Sequence, residues 1–593
     1  MRKAVLCLAA ALLMGALATF AAFQIIPLFF TGVRGTATWG CAIGWGMLCG
    51  FCVFQDCGRK VSRMEPHPLL LWLLAAFFTG VTLLGLSFHQ SGSAQWLSEN
   101  KGLCLSMVPG LALPFPSVAR SLLRGIKPAA PRPRMDRPVV SLCFAAALLV
   151  CWLPWILCVF PGTMSFDANS QILMIYGKAP LTNSNPIAQT GLLALMVRLG
   201  EGLFHSADGG VALYCGLQTL LMAYLLGVLL KRMAAAGCGR GLWIAAFAFY
   251  ALCPAMPTFA MCVGKDTNFG MAVLFFSMEL WQWLRGDTLS PKQRKMGGLR
   301  LLLAAVLCAL LRNAGLGLVL ISALGCLLVR LRNKALPLMP PLMAAAGATA
   351  VMLVLQLGVL PALDAGPTPE SESLSLPLQA SVRCAINGEL TPEEETALRG
   401  VMDLDTAKTV YNGELSDRVK DTWREDASAE EKAAFWKAYL SMVLRHPATC
   451  FSAAFHNTYG YFMPGYMSTL KAVLFVGDFH SRSEPTQELF PYTVNPHALN
   501  VHEKMKDWQS DPLYCVLHSP GIYSLLTLLA AVACLRKGRR RMLICVLPAL
   551  LVLLGCVFSA VNGYLRYALP LLLCVPFLLG TISLDNSPSK SSS

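Results

Sequence analysis

Apolar runs of about 20 residues, long enough to cross about 30 Å of hydrocarbon, alternate with short basic clusters along most of the chain. They cover approximately residues 4–30, 37–55, 69–88, 102–118, 139–160, 210–230, 241–262, 267–284, 299–312, 315–330, 336–361, 519–535, 542–562 and 565–583. The pattern predicts an all-α integral membrane protein of about 14 spans. Two stretches are irregular: 102–118 is short and carries Pro109, Pro114 and Pro116, and 299–330 reads alternatively as one broken hairpin. The first run follows Arg2 and Lys3 and outlasts a signal-peptide core, so it reads as a span, with a cleavable leader as the alternative.

The longest polar interruption, 362–518, shows helical rather than transmembrane patterning. Thr391-Pro392-Glu393-Glu394 and Ser428-Ala429-Glu430-Glu431 are capping boxes. Phe435, Trp436, Tyr439, Leu440 and Val443 then recur at helical spacing until Pro447. A mainly helical domain is expected there. Its aromatic segment NTYGYFMPGY, 457–466, suggests a loop at the membrane interface.

Composition supports lipid as the solvent, since only 14% of the 593 residues are charged and 55% are hydrophobic. The net charge of +15 divides unevenly: residues 362–518 hold 22 acidic against 13 basic residues, leaving 11 against 35 elsewhere. Basic clusters at 59–63, 120–137, 231–240, 285–300, 330–334 and 536–541 mark the cytoplasmic side. Both termini are then cytoplasmic, and the acidic insert, the loop 161–209 and the turns at 264–266, 312–315 and 562–566 lie outside. This layout divides the chain into N-terminal spans 1–138, a membrane core 139–361, the insert 362–518, C-terminal spans 519–583 and a polar tail 584–593. Most of the 22 cysteines lie in apolar runs and read as packing residues, including the Cys49/Cys52 pair. Cys384, Cys450 and Cys515 specify no framework.

The chemistry-bearing residues gather on the outer side. Asp167 stands in PGTMSFDANSQ, where a low-dielectric boundary would raise its pKa and suit it to take a proton; a solvated turn aspartate is the bland alternative. Lys265 and Asp266 open an apolar helix, where Asp266 suits the helix dipole and Lys265 either meets a phosphate or snorkels. Arg312 and Arg566 sit at apolar helix ends, where an unpartnered cation is costly. A phosphate held bidentately would account for both, and so would pairing with Asp167 or Asp266. Six of nine histidines, including His497 and His502, fall between His446 and His518 without a zinc spacing. No nucleotide-binding loop, nucleophile elbow or HExxH is present, which argues against ATP hydrolysis.

The segments PGTMSFDANSQ, NSNPIAQTGLL (183–193), VGKDTNF (263–269), LLRNAGL (310–316), LPLQASVR (376–383), NTYGYFMPG (457–465) and GYLRYALPLLL (563–573) together resemble the polytopic bacterial GT-C glycosyltransferases and a membrane family grouped with them. The resemblance extends from about 160 to 575 and leaves the first four spans as a possible added module. It implies a GT-C-like helical bundle that transfers a sugar from a polyprenyl-phosphate donor to an extracytoplasmic glycan, lipid or protein acceptor at the plasma membrane. By it, Asp167 and Asp266 are the catalytic acids, and Lys265, Arg312 and Arg566 hold the lipid phosphate. Asn169, Gln171, Asn185, Asn313, Gln379, Arg383, Tyr459, Tyr461 and Tyr466 would contact acceptor or sugar. Asn185-Pro186 stands where relatives carry His-Pro, which removes a histidine-dependent step. Mg²⁺ or Mn²⁺ on the two aspartates is conceivable, yet a hard cation gathers more oxygens than the sequence assigns, so the metal ligands are left unknown. A flippase for a lipid-linked substrate and an inactive envelope scaffold remain the alternatives; nucleic acid is not an expected partner.

Overall fold

The computed structural model describes residues 2–29, 36–57, 59, 65–286, 290–468, 490, 500, 512–536 and 539–584. Among the described residues, 11 helices are long and apolar enough to cross a membrane, and Arg240–Leu252 and Pro520–Cys534 are shorter apolar helices. Large apolar side chains such as Leu6, Leu157, Leu220 and Leu328 face outward. That is the arrangement lipid stabilises, because a helix satisfies its own backbone groups there.

The first five helices form one group. α1 (Arg2–Phe29) and α2 (Thr36–Asp56) meet along a seam of small residues. A Cβ on Gly46 would lie 1.8 Å from Thr19 Oγ1 and 2.5 Å from the Gly15 carbonyl oxygen, so this backbone approach requires glycine. α3 (Pro68–Ser91), α4 (Lys101–Ala112) and α5 (Phe115–Gly125) complete the group. The break between α4 and α5 falls at Leu113-Pro114, and the 25 residues 101–125 together form one candidate span. Arg124 of α5 ties Asp56 at 2.7 Å and Glu65 at 2.8 Å, closing the group at one end.

The body comprises α6 (Pro138–Val159), α7 (Phe166–Ile175), α8 (Ile187–Phe204), α9 (Ala207–Ala236), α10 (Arg240–Leu252), α11 (Lys265–Leu284), α12 (Pro291–Leu311), α13 (Gly315–Arg332) and α14 (Met339–Val354). The insert carries α15 (Ser375–Ile386), α16 (Pro392–Val401), α17 (Ala429–Arg445) and α18 (Pro447–His456). After it, α19 (Pro520–Cys534), α20 (Leu543–Val557) and α21 (Leu565–Leu584) return to the body. One buried cluster joins α6 and α9 to α13 with α19 to α21, and Tyr250 anchors it by donating to the Leu573 carbonyl at 2.7 Å. α11 runs through its centre, buried along nearly its whole length, and is not among the eleven apolar helices because its sequence includes Asn268, Ser277, Glu279 and Gln282.

Two short strands, β1 (Thr163–Met164) and β2 (Cys262–Val263), pair in parallel with Thr163 opposite Cys262 and Met164 opposite Val263. Each feeds directly into a helix. The same register, carried three residues past Met164 and Val263, sets Asp167 and Asp266 in the first turns of α7 and α11. Strands of two residues are too short for hydrophobic periodicity to reveal, and the all-α expectation lacked them.

α8 also modifies the expected loop 161–209. It is apolar and long enough to count as a candidate span. Its geometry ties it to one end of α9: Gln189 meets Tyr214, while Gly200 packs against Gly210. Those partners lie about 6 Å apart along α9, whereas Gln189 and Gly200 are separated by about 16 Å along α8. The helix therefore lies obliquely across the end of α9 beside Asp167.

In the insert both capping boxes form as expected, and α17 ends before Pro447. Its inward face is Phe435, Ala438 and Met442, whereas Trp436 and Leu440 point outward. Cys384 and Cys450 come to 4.0 Å between sulfurs. Within 457–466, expected as a loop at the membrane interface, Tyr459–Tyr461 is a buried 3-10 turn packed against α3 and the turn before α21. His497, His502 and the tail beyond Leu584 lie outside the described residues.

Candidate functional site

Four helices deliver five charged side chains to one place. Arg566, in the first turn of α21, is only 5% exposed and bridges both aspartates, its Nη2 meeting Asp167 Oδ2 and its Nε meeting Asp266 Oδ2. Arg312, at the end of α12, approaches Asp266 Oδ1 at 3.2 Å. Lys265 reaches Asp167 Oδ2 at 3.1 Å and donates to Asn185 Oδ1 at 2.7 Å. Aromatic faces shield the guanidinium groups: Arg312 stands 5.4 Å from the ring centres of both Phe269 and Tyr567. Removing such a ring would take away its cation–π attraction.

Three cations face two carboxylates, so the cluster carries one positive charge in excess. That balance suits an added anion. Asp167 departs from the raised pKa expected at the sequence level. Burial alone would push its carboxyl up, but the neighbouring Arg566 and Lys265 charges outweigh burial and hold it well below the usual carboxylate range. The same pairing argues against a divalent cation here. Asp266 offers one oxygen to Arg566 and the other to Arg312, and Asp167 Oδ2 is shared by Arg566 and Lys265. No group of three or more His, Cys, Asp or Glu residues stands together among the described residues. The residues present do not fit Mg²⁺ or Mn²⁺.

The remaining sequence candidates separate into near and distant sets. Asn185 is in the cluster through Lys265. Asn169 and Gln171 lie on α7 beside Asp167; Gln171 donates to Thr190 Oγ1 at 3.0 Å, while Asn169 Oδ1 and Gln171 Oε1 are buried with no hydrogen-bond partner among the described residues. Asn313 follows Arg312 and ties the Asn183 carbonyl and Thr368, at 3.2 and 3.0 Å. Gln379 is tied within the insert, and Arg383 joins the insert to the bundle. Gln379 donates to the Asn412 carbonyl at 2.8 Å and Arg383 to the Gly92 carbonyl at 2.8 Å.

Tyr459, Tyr461 and Tyr466, expected as acceptor or sugar contacts, are all buried, with hydroxyls on protein partners. Tyr459 and Tyr466 donate to Glu414 Oε1 at 2.6 and 3.0 Å, and Tyr461 donates to the Val561 carbonyl at 2.8 Å. Asn562 completes this hub by accepting from the Gly460 amide at 2.8 Å and donating its own amide to the Glu414 carbonyl at 2.9 Å. The three tyrosines thus brace the turn that launches α21 and its Arg566. Burial pushes His456, beside this hub, down to about 4, so it is a neutral neighbour of Arg383 at 3.3 Å.

Sequence reasoning missed Gln189, Tyr214 and Asn268, which form a polar layer against the cluster. Asn268 donates to Tyr214 Oη at 2.8 Å and to Gln189 Oε1 at 3.1 Å. Gln189 and Asn268 stood inside quoted motifs, and Tyr567 follows Arg566 in another. Tyr214 gave no signal, because a tyrosine in a long apolar helix is indistinguishable from packing.

Fold and site together define a multi-pass helical membrane protein with a buried ionic cluster at one end of its bundle. The chain belongs to a family of unknown function, DUF6020, which matches residues 176–592. Lys265, Asp266, Arg312 and Arg566 lie within that match, whereas Asp167 and the first five helices precede it. No curated protein and no solved structure matches the chain.

Proposed function

We propose that this chain is a GT-C-type membrane glycosyltransferase of about 14 spans, with cytoplasmic termini and its acidic insert outside the plasma membrane. It transfers a sugar from a polyprenyl-phosphate donor to an extracytoplasmic acceptor of the cell envelope. The observation that carries this reading is the meeting of Asp167, Lys265, Asp266, Arg312 and Arg566 in one cluster with a positive charge in excess.

In the resting cluster Asp167 is a weak base, because two cations neutralise it. The donor phosphate competes for those cations. As Lys265 and Arg566 turn toward phosphate oxygens, Asp167 loses its counter-charges and its proton affinity rises. Asp167 then takes the acceptor hydroxyl proton while the acceptor oxygen bonds to the sugar's anomeric carbon. The bond from that carbon to the phosphate oxygen breaks, and its electron pair leaves on the polyprenyl phosphate, which the cations stabilise. Asp266 keeps Arg312 and Arg566 in place throughout.

A flippase reading would require charged groups along a path between the faces. The 12 residues of α11 between Asp266 and Glu279 carry no ionisable side chain, which favours chemistry at one face. Labelled polyprenyl-phosphate sugar in proteoliposomes separates the two. Product glycoside supports transfer; leaflet exchange of intact donor without bond cleavage overturns it.

A further inference from the structure

At the far end of α11 from Asp266, a second charged assembly surrounds a cavity of about 590 Å³ between α9, α11, α12 and the segment before α6. Its lining includes Lys231, Arg232, Arg285, Lys292 and Arg300, with Asp136 as the one carboxylate among the described residues. Behind the lining, fully buried Glu279 holds Arg232 at 2.6 Å and Arg300 at 3.1 Å. Lys231 pairs with Asp136 at 3.0 Å. Lys231, Arg232, Lys292 and Arg300 alone set four cations against Asp136 and Glu279 among the described residues, a larger excess than in the Asp167–Asp266 cluster. Arg232 Nη1 is buried and has no hydrogen-bond partner among the described residues.

Simple accumulation of positive charge at a cytoplasmic membrane edge explains exposed lysines and arginines. It does not explain a buried glutamate that orients two arginines at the wall of a cavity. We infer that this cavity binds the phosphate headgroup of an anionic phospholipid from the leaflet opposite the outer cluster. Arg232 and Arg300, held by Glu279, form the rigid part of the site, and Arg285 and Lys292 close it from the rim. Trp281 and Met296 give the wall an apolar portion, which suits the glycerol and acyl region rather than a free inorganic anion. This inference is independent of the glycosyltransferase reading.

Binding of phosphatidylglycerol, phosphatidylcholine, inorganic phosphate and pyrophosphate to the purified full chain in neutral detergent, measured by native mass spectrometry, tests it. Retained phosphatidylglycerol with weak phosphatidylcholine and no phosphate or pyrophosphate binding is expected. Arg285→Gln and Lys292→Gln leave the Glu279 triad intact, and each should weaken phosphatidylglycerol about fivefold. Arg330→Gln, at another basic cluster, should leave it unchanged. Equal binding of the two lipids, tight binding of free phosphate or pyrophosphate, or equal losses in all three variants would overturn the proposal. Should Arg285→Gln fail to fold, Lys292→Gln at its exposed position decides the outcome against Arg330→Gln.

Discussion

Arg566 is the residue on which the Asp167–Asp266 cluster turns. Its planar fork reaches two carboxylates from one buried position, a geometry that a lysine ammonium does not reproduce. Arg566→Ala leaves Asp266 to Arg312 alone and Asp167 to Lys265 alone, with one oxygen of each losing its cation, and should cost about 1–3 kcal/mol, seen as a fall in the thermal midpoint in detergent. Arg566→Lys should recover only part of that loss. The pH dependence follows from Asp167. Its folded pKa lies below the unfolded value, so the stability it contributes is complete above the ordinary carboxylate range and disappears as pH falls through the depressed folded value. Wild type and Asp167→Asn should therefore show parallel thermal midpoints between pH 5 and 8. Divergence inside that window would show a raised pKa instead. The five charged members were legible in sequence because charge is costly at the edge of lipid. Tyr214 and Gln189 were not, since polar atoms satisfied inside a bundle leave no periodic trace.

At the scale of elements, the decisive feature is the β1–β2 pair. It sets Asp167 and Asp266 at equivalent steps after paired strand residues, and so converts two separate motifs into one site. The sequence showed both motifs and their common side, but not the hydrogen bonds that align them. Capping boxes were legible because each depends on a local pattern; the oblique course of α8 was not, because it depends on contacts with Tyr214 and Gly210. The small-residue seam of α1 and α2 makes its own prediction. Gly46→Val places carbon against Thr19 and the Gly15 carbonyl and should destabilise the helix pair by about 1–3 kcal/mol, measured as increased hydrogen exchange in both helices.

On the scale of the whole molecule, the N-terminal group is built into the structure that supports the Asp167–Asp266 cluster. A Cβ on Gly85 of α3 would meet Met463 and Tyr459 at 2.7 and 2.9 Å, and His89 packs edge-on against Tyr466 at 5.9 Å. Those tyrosines converge on Glu414 from the insert, which also contacts Asn562 ahead of α21. Membrane spans, insert and the Arg566 turn therefore share one hub, although the family match begins only at residue 176. Glu414→Gln should weaken this hub by about 1–3 kcal/mol and lower the thermal midpoint. In the proposed enzyme it should reduce transfer less than loss of Asp167 does, because Glu414 acts through the turn. Sugar transfer from labelled polyprenyl phosphate by reconstituted wild type and Asp167→Asn protein, with equal folding confirmed by thermal midpoint, is the most direct test. Transfer by wild type and its loss in the variant are the predicted results; undiminished transfer by Asp167→Asn would contradict the role assigned to the cluster.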